Sequence, residues 1–565
     1  MVKIIIRKSI KNNIPPTGVA LKSTISYKEL FGQSLSMEEI LGEFSQTNIG
    51  ELLPTIAKLI AIHYATNGNS NIVLNQIFDK AKHINYGPTV NFIVKVLEHS
   101  VEAETVLNSP QMLLNVAKFL LVYGDDNTLS AAPVLGDPLP FVRVIFLACI
   151  LTDYYEGEAS RDFILMESVQ NGVFNRWTNG LSIIQRSVEC YLKLSKQKEK
   201  FPTGEFLDIS KLFMEATRLE LNSYLKFLTA LVATYDLNST ADELAWTNKL
   251  FSHIDHYMKS IEYDVEETEK LFGLISGRIE DFRQSHQNSL NERWDFSFFR
   301  NKPIVRAKDV FYPLDRKFLI DKVWDGLFWM ILDHIDDSIK NKFRVFFGRL
   351  FETYCTELIL SIEEKIRGKV ILEFEYLPGQ KSPDLFLSYG KDLIVIDFKA
   401  KRFQMNDTLV RGNIEGYKKD VTGIFITPAE KIYKHLKKFS LLKECRIDIA
   451  KYNRIHCIIV SQGSLVGLSE IYREMDNLIR EKGFYDELPV RTWNLLSIDE
   501  YEVLVGLLEK GKNLPNLLLR KASSEKYKFL SFNDFLAYTQ EKFSIPSYIK
   551  KNIREWTEEM FGNIQ

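Results

Sequence analysis

Two short segments of the chain carry residues that could do chemistry together. Ser382-Pro383-Asp384-Leu385-Phe386-Leu387 is followed by Leu393-Ile394-Val395-Ile396-Asp397-Phe398-Lys399, so an acid precedes one apolar run, and an acid and a lysine close the next. Two carboxylates brought together at strand ends can hold a hard divalent cation through oxygen, and a neighbouring lysine can orient the water that attacks a phosphodiester. Acid-x-Lys also occurs at Asp315-Arg316-Lys317 and Glu363-Glu364-Lys365, but neither follows an apolar run. Leu393 to Ile396 is a continuous aliphatic stretch, as expected of a central strand covered on both faces. Period-two geometry then puts Asp397 and Lys399 on the same side.

A third acid comes from upstream. Residues 340–366 have helical periodicity, and one stripe reads Val345, Gly348, Glu352, Cys355, Ile359, apolar or small except at the glutamate. An unpaired buried carboxylate costs several kcal/mol, so Glu352 is expected to face a metal, a bound water or a cation. The plainer expectation is a partly exposed acid that pairs with Arg349 on its own helix.

With Gly348-Arg349-Leu350-Phe351-Glu352-Thr353-Tyr354 as first-helix motif, Asp384 and Asp397-Phe398-Lys399, the region of residues 340–465 resembles the PD-(D/E)xK superfamily of restriction-endonuclease-like nucleases. The order of elements is similar too: a helix, strands over 370–376, 384–387 and 393–399, a polar helical stretch to about Leu442, and a strand over 455–460, with turn chemistry at Tyr376-Leu377-Pro378-Gly379 and Tyr389-Gly390-Lys391-Asp392. The resemblance implies hydrolysis of phosphodiester bonds with Mg2+ or Mn2+. It implies metal ligation by Asp384, Asp397, the Phe398 carbonyl and, directly or through water, Glu352, with Lys399 positioning the water. Lys431, on the following helix, matches loosely a position where relatives carry Gln or Lys. Glu373 and Glu375 are alternate acids on the first strand. The resemblance implies DNA as substrate in preference to RNA, and by analogy a role in bacterial restriction or anti-phage defence. The alternative is a catalytically silent nuclease fold that serves as a scaffold or nucleic-acid-binding subunit, and a third possibility is a helical interaction protein in which the motif is coincidental.

The expected fold class is α+β and multidomain. A mainly α-helical region (1–290) precedes an aromatic-rich connecting segment (291–339), the α-β-β-β-α-β nuclease core (340–470) and a helical C-terminal extension (471–565). At 565 residues the chain can bury several cores, and 45% apolar with 26% charged residues is ordinary for a globular protein. A net charge of −2 means that any nucleic-acid surface is local. Basic residues cluster after the proposed site, at Lys399, Lys401, Arg402, Arg411, Lys418, Lys419, Lys431, Lys434, Lys437 and Lys438, and a solvated helix face explains them equally well.

Helical spacing is expected over 52–65, 109–122, 142–154 and 219–233, with a capping box at Ser36-Met37-Glu38-Glu39. Residues 254–290 read as a long charged amphipathic helix, packed on its own domain or forming a surface for a homo-oligomer or partner protein. His253 and His256 have a spacing that could chelate a metal, although surface histidines on helices are common. The aromatics between Trp294 and Trp329 could stack bases, but large buried areas favour packing between the core and the helical region. The five cysteines lack paired spacing, and no P-loop is present. No run is long enough for a signal peptide or membrane span, so a cytoplasmic protein with no membrane partner is expected. Capping patterns at Ser497-Ile498-Asp499-Glu500, Ser531 and Ser544-Ile545-Pro546 announce further helices.

Overall fold

The computed structural model describes residues 25–561 apart from 66–70, 84–90, 97–108, 127–136, 156–159, 175–179, 239–263, 308–309 and 464–468. It is an α+β fold with a large helical N-terminal region and a mixed five-stranded β-sheet.

The helical region forms where apolar residues recur with helical spacing and a cap closes the first turn. Ser36 accepts from the Glu39 N–H, and Glu39 returns a bond to the Ser36 N–H at 2.7 Å. Helices α1 (Ile49–Ala65), α2 (Pro110–Tyr123) and α3 (Leu139–Tyr154) pack on one another through fully buried faces. Pro110 follows the Ser109 cap at the start of α2, where its missing N–H costs nothing.

In the described part of residues 254–290 the expected continuous helix is broken. Asp264 caps a helix over Val265–Ile275, the chain then extends as β1 (Ser276–Arg278), and a second helix runs over Ile279–Gln287. The break serves a small sheet, in which β1 pairs in parallel with β2 (Ile304–Ala307) and β2 pairs antiparallel with β3 (Val310–Pro313). His253 and His256 lie outside the described residues.

The aromatic segment is packing surface. Trp294, Phe296, Phe299, Phe311, Tyr312, Trp324 and Phe328 are buried, and of the aromatics from Trp294 to Trp329 only Trp329 is largely exposed, at 43%. Trp294 stacks on Phe174 with centroids 5.5 Å apart, and Trp324 meets Tyr191 edge-on at 5.3 Å. Lys118 of α2 holds the start of this segment from beneath. Its buried ammonium donates to the carbonyls of Glu292 (2.8 Å), Ser289 (3.3 Å) and Asp295 (3.4 Å), and burial lowers its pKa to about 7.

Helix α4 (Asp337–Leu360) leads into the main sheet. Its strands are β4 (Lys369–Leu372), β7 (Leu385–Tyr389), β8 (Asp392–Lys399), β9 (Arg454–Ser461) and β10 (Val490–Ser497), hydrogen-bonded in the order β10-β9-β8-β7-β4. The β4/β7 and β7/β8 pairs are antiparallel, whereas β8/β9 and β9/β10 are parallel. Parallel neighbours need crossovers, here supplied by α5 (Thr427–Leu441) and α6 (Ser469–Glu481). Gly390, at φ 62°, makes the tight turn between β7 and β8.

Two expectations are corrected in this region. The single strand expected over 370–376 stops at Leu372, because the Phe374 N–H turns to Ser382 Oγ (3.0 Å) and a separate hairpin forms from β5 (Glu375–Leu377) and β6 (Gln380–Lys381). The C-terminal segment is not wholly helical, since it supplies β10 as the fifth strand of the sheet. Immediately after β10, Ser497 caps α7 (Ile498–Glu509) with a capping box through Glu500.

A buried ion-pair network joins the three regions. Arg186 Nε donates to Glu502 Oε1 at 2.8 Å, both side chains being 2% exposed, and Arg186 also pairs with Asp499. Tyr354 of α4 donates to the same Glu502 oxygen at 2.7 Å, and Tyr501 donates to the Cys355 carbonyl at 2.9 Å. Helices from both ends of the chain thereby clamp α4.

Candidate active site

Four of the expected residues meet at the end of β8. Leu385 of β7 pairs with Ile396 of β8, so one residue beyond that register Asp384 stands opposite Asp397, and directly opposed side chains on one face are near neighbours. Asp397 is 1% exposed. The Phe398 N–H donates to Asp384 Oδ2 at 2.6 Å, fixing that carboxylate against the strand. Lys399 brings its ammonium to 2.5 Å from Asp397 Oδ2 and donates to the Phe398 carbonyl at 3.0 Å. Lys399 is thus the buried counter-ion of Asp397, joined to it by charge and by the side-chain contact that helps keep the ammonium protonated.

The electrostatics follow from this crowding. Burial, then Asp397, then Glu352 push the Asp384 carboxyl up to about 8 against the pull of Lys399 and the Phe398 N–H. Burial works against the Lys399 charge, but Asp397, Asp384 and Glu352 outweigh it and raise its pKa. Three acids therefore share one ammonium.

Glu352 sits at the margin of this group. The face of α4 that is buried runs through Phe343, Phe347, Leu350, Phe351, Tyr354, Cys355 and Leu358. The expected stripe is corrected at its start, since Val345 is 51% exposed. Glu352 is partly exposed and accepts from Arg349 Nη1 at 3.0 Å, which is the plainer of the two expectations. It is also close enough to Lys399 and Asp397 for both charges to act on it, while burial raises its pKa. Among the described residues, no three His, Cys, Asp or Glu side chains converge into a ready-made metal cage; Glu352 has its contact with Arg349.

The other acids are engaged elsewhere. Glu373 pairs with Lys381 at 2.7 Å, and Glu375 accepts from the Gly379 N–H at 2.8 Å, so both brace the β5/β6 hairpin. Asp315 caps a helix through the Lys317 N–H, and Lys365 pairs with Glu509.

Helix α5 covers the face of the sheet on which the acids lie. Phe386, opposite Val395 in the β7/β8 register, has its ring 6.2 Å from that of Phe439. As a crossover between parallel strands, α5 runs back against β8. Four helix residues climb ~6 Å, about the rise of two strand residues. Stepping back from Phe439 therefore carries the helix through His435 and Lys431 toward the strand end that bears Asp397 and Lys399. The charges of Asp397, Lys399 and Lys431 all act on the His435 ring. Lys431 is exposed and has no hydrogen bond or ion pair to the acids. His435, not anticipated from sequence, lies within the influence of the Asp397 and Lys399 charges, and its Nδ1 lies 2.8 Å from the Tyr376 hydroxyl. Burial, then Lys431, lower its pKa. Its only sequence signal is its place four residues after Lys431.

Much of the basic cluster is locally paired: Lys418 with Glu415, Lys434 with Glu430, Lys437 with Glu487 and Arg402 with Asp325. Arg402 also lies 4.9 Å from the ring centroids of Phe328 and Trp329. No helix among the described residues is long and apolar enough to cross a membrane. Comparison of the chain with protein-family models, with curated proteins and with solved structures finds no match.

Proposed function

We propose that this chain is a metal-dependent nuclease with a restriction-endonuclease-like core, hydrolysing phosphodiester bonds of DNA in preference to RNA, in restriction or anti-phage defence. The observation that carries the reading is the meeting of Asp384, Asp397 and Lys399 at one buried strand end, with Glu352 at its edge. Side chains distant in sequence are crowded there at an electrostatic cost that packing does not require.

The donors suit Mg2+ or Mn2+, which take hard oxygen ligands. Asp384, Asp397 and the Phe398 carbonyl would hold the ion, with Glu352 directly or through water. Asp397 is buried with Lys399 as its counter-ion, and a bound divalent ion would offset the remaining charge of the two opposed aspartates. When bound, the ion supplies charge that stabilises the oxygens of a phosphodiester under attack. The chain's own part is to hold the scissile phosphate beside β8. Lys399 would orient the attacking water and offset charge at phosphorus, while the exposed Lys431 meets the backbone of the nucleic acid. The helical region would select the target or receive a partner protein.

A second reading, a catalytically silent nuclease fold that binds nucleic acid as part of a larger assembly, draws on the pairing of Glu352 with Arg349. The test is cleavage of duplex DNA, single-stranded DNA and RNA with Mg2+ and with Mn2+, wild type against Asp397→Ala. Metal-dependent cutting that the variant loses supports the nuclease. Binding without cutting on every substrate favours the silent fold.

A further inference from the structure

A hydrolytic site needs a group that takes a proton from the attacking water, and of the clustered side chains Glu352 is engaged by Arg349 while the other three are poorly placed to do so. The Lys399 ammonium has only donors, spent on Asp397 and the Phe398 carbonyl. The two aspartates face each other and that ammonium. Beside His435, the Tyr376 hydroxyl donates to Gln380 Oε1 at 3.2 Å, an oxygen that also accepts from Lys438 Nζ at 2.7 Å. The proton of Tyr376 is thus directed away from His435, and the hydroxyl oxygen is left to accept from His435 Nδ1–H across 2.8 Å. A neutral imidazole with Nδ1 protonated has its lone pair on Nε2.

We propose that His435 is the general base of this site, held in the required tautomer by Tyr376 as a positioning residue. The inference rests on the nuclease reading above. The water oxygen forms its bond to phosphorus while its proton passes to His435 Nε2. The bond from phosphorus to the leaving oxygen breaks, its electron pair stays with that oxygen, and the oxygen takes a proton from solvent. The imidazolium then returns its proton to bulk water. The charged and titratable groups facing the ring are Lys431 and Lys438 from its own helix, Asp397 and Lys399 from β8, and Tyr376 from β5.

Chemical rescue tests the assignment. His435→Ala and His435→Gln are assayed against wild type on the DNA substrate that wild type cuts, with and without added imidazole, across pH 5 to 9, and folding is checked by near-UV circular dichroism. The expected result is a loss of about 10²-fold or more in kcat, loss of the acidic limb of the wild-type pH profile, and partial recovery of His435→Ala in proportion to neutral imidazole. Tyr376→Phe is expected to shift that limb with a smaller loss. A folded His435→Ala with wild-type rate, or one that imidazole does not rescue, overturns the base assignment and leaves the nuclease reading intact. A wild type that cuts no substrate overturns both.

Discussion

The opposed aspartates have a measurable cost in the protein without metal. Asp384→Asn removes one negative charge, and the amide oxygen can still accept from the Phe398 N–H, so the strand end is kept. The Asp384 carboxyl is raised from 3.8 to about 8. Below about pH 4 both folded and unfolded chains hold this proton, and no penalty arises. Between 4 and 8 the unfolded chain releases it while the fold retains it, so stability falls as pH rises through that window; above 8 both states are ionised and the penalty is constant. Each pH unit within the window costs up to ~1.4 kcal/mol, a ceiling of ~4 kcal/mol from pH 5 to pH 8. Rearrangement of Lys399 between the two acids lowers the expectation to about 2 kcal/mol. For roughly 500 folded residues the entropy of unfolding is ~1 kcal/mol/K, so the difference reads as roughly 2 °C in Tm. Scanning calorimetry in EDTA at pH 5 and pH 8 is therefore expected to show Asp384→Asn gaining about 2 °C on wild type between the two pH values. Added Mg2+ at pH 8 should then raise the wild-type Tm and leave the variant's nearly unchanged. Equal differences at both pH values would refute the repulsion argument.

Lys399→Met should abolish cleavage, lower the metal-free Tm, and make Mg2+ more stabilising than in wild type; an unchanged Tm in EDTA would show that the ammonium does not serve as counter-ion to the acids. Arg186→Met leaves Glu502 buried without its partner and should cost about 3–5 kcal/mol in urea unfolding, and a loss under 1 kcal/mol would count against the network. Trp294→Ala, which empties a packed ring site, is expected to cost about 3–5 kcal/mol, whereas Trp329→Ala should cost under about 0.5 kcal/mol; equal losses would contradict the burial difference. A chain starting at residue 291 should fail to give native near-UV circular dichroism, because α4 would lose Arg186, Tyr191 and Phe201; a folded, active fragment would refute this.

The parts of the site legible in sequence were those set by local pattern. The aliphatic run from Leu393 to Ile396 marks β8 as covered on both faces, and its period places Asp397 beside Lys399. Ser36 and Ser497 announce their helices because capping is a contact between residues three apart. Long-range choices were not legible. Val490-Arg491-Thr492-Trp493-Asn494 has polar residues at buried positions, so nothing marks it as a strand until β9 is there to pair with it. Residues 254–290 read as helical by periodicity, but in their described part β2 draws Ser276–Arg278 into a sheet, a tertiary override of propensity. Glu352 has two partners available, Arg349 one turn away and the strand acids, and pattern alone does not choose between them. His435 is hidden in a lysine-rich helix whose charge suggests only a solvated face; its role comes from the hydroxyl of Tyr376 on a different element.

The Arg186 network also sets an order of events during synthesis. The arginine leaves the ribosome 316 residues ahead of Glu502 and 313 ahead of Asp499. Until α7 emerges, burying Arg186 would strand a charge in a nonpolar interior, so the final packing around it is unfavourable before then. Helix α4, whose Tyr354 waits on the same glutamate, has no final seat either. Whatever the strand end of β8 does is thus tied to the synthesis of α7, since α4 can take its final seat only once Glu502 is there for Arg186 and Tyr354.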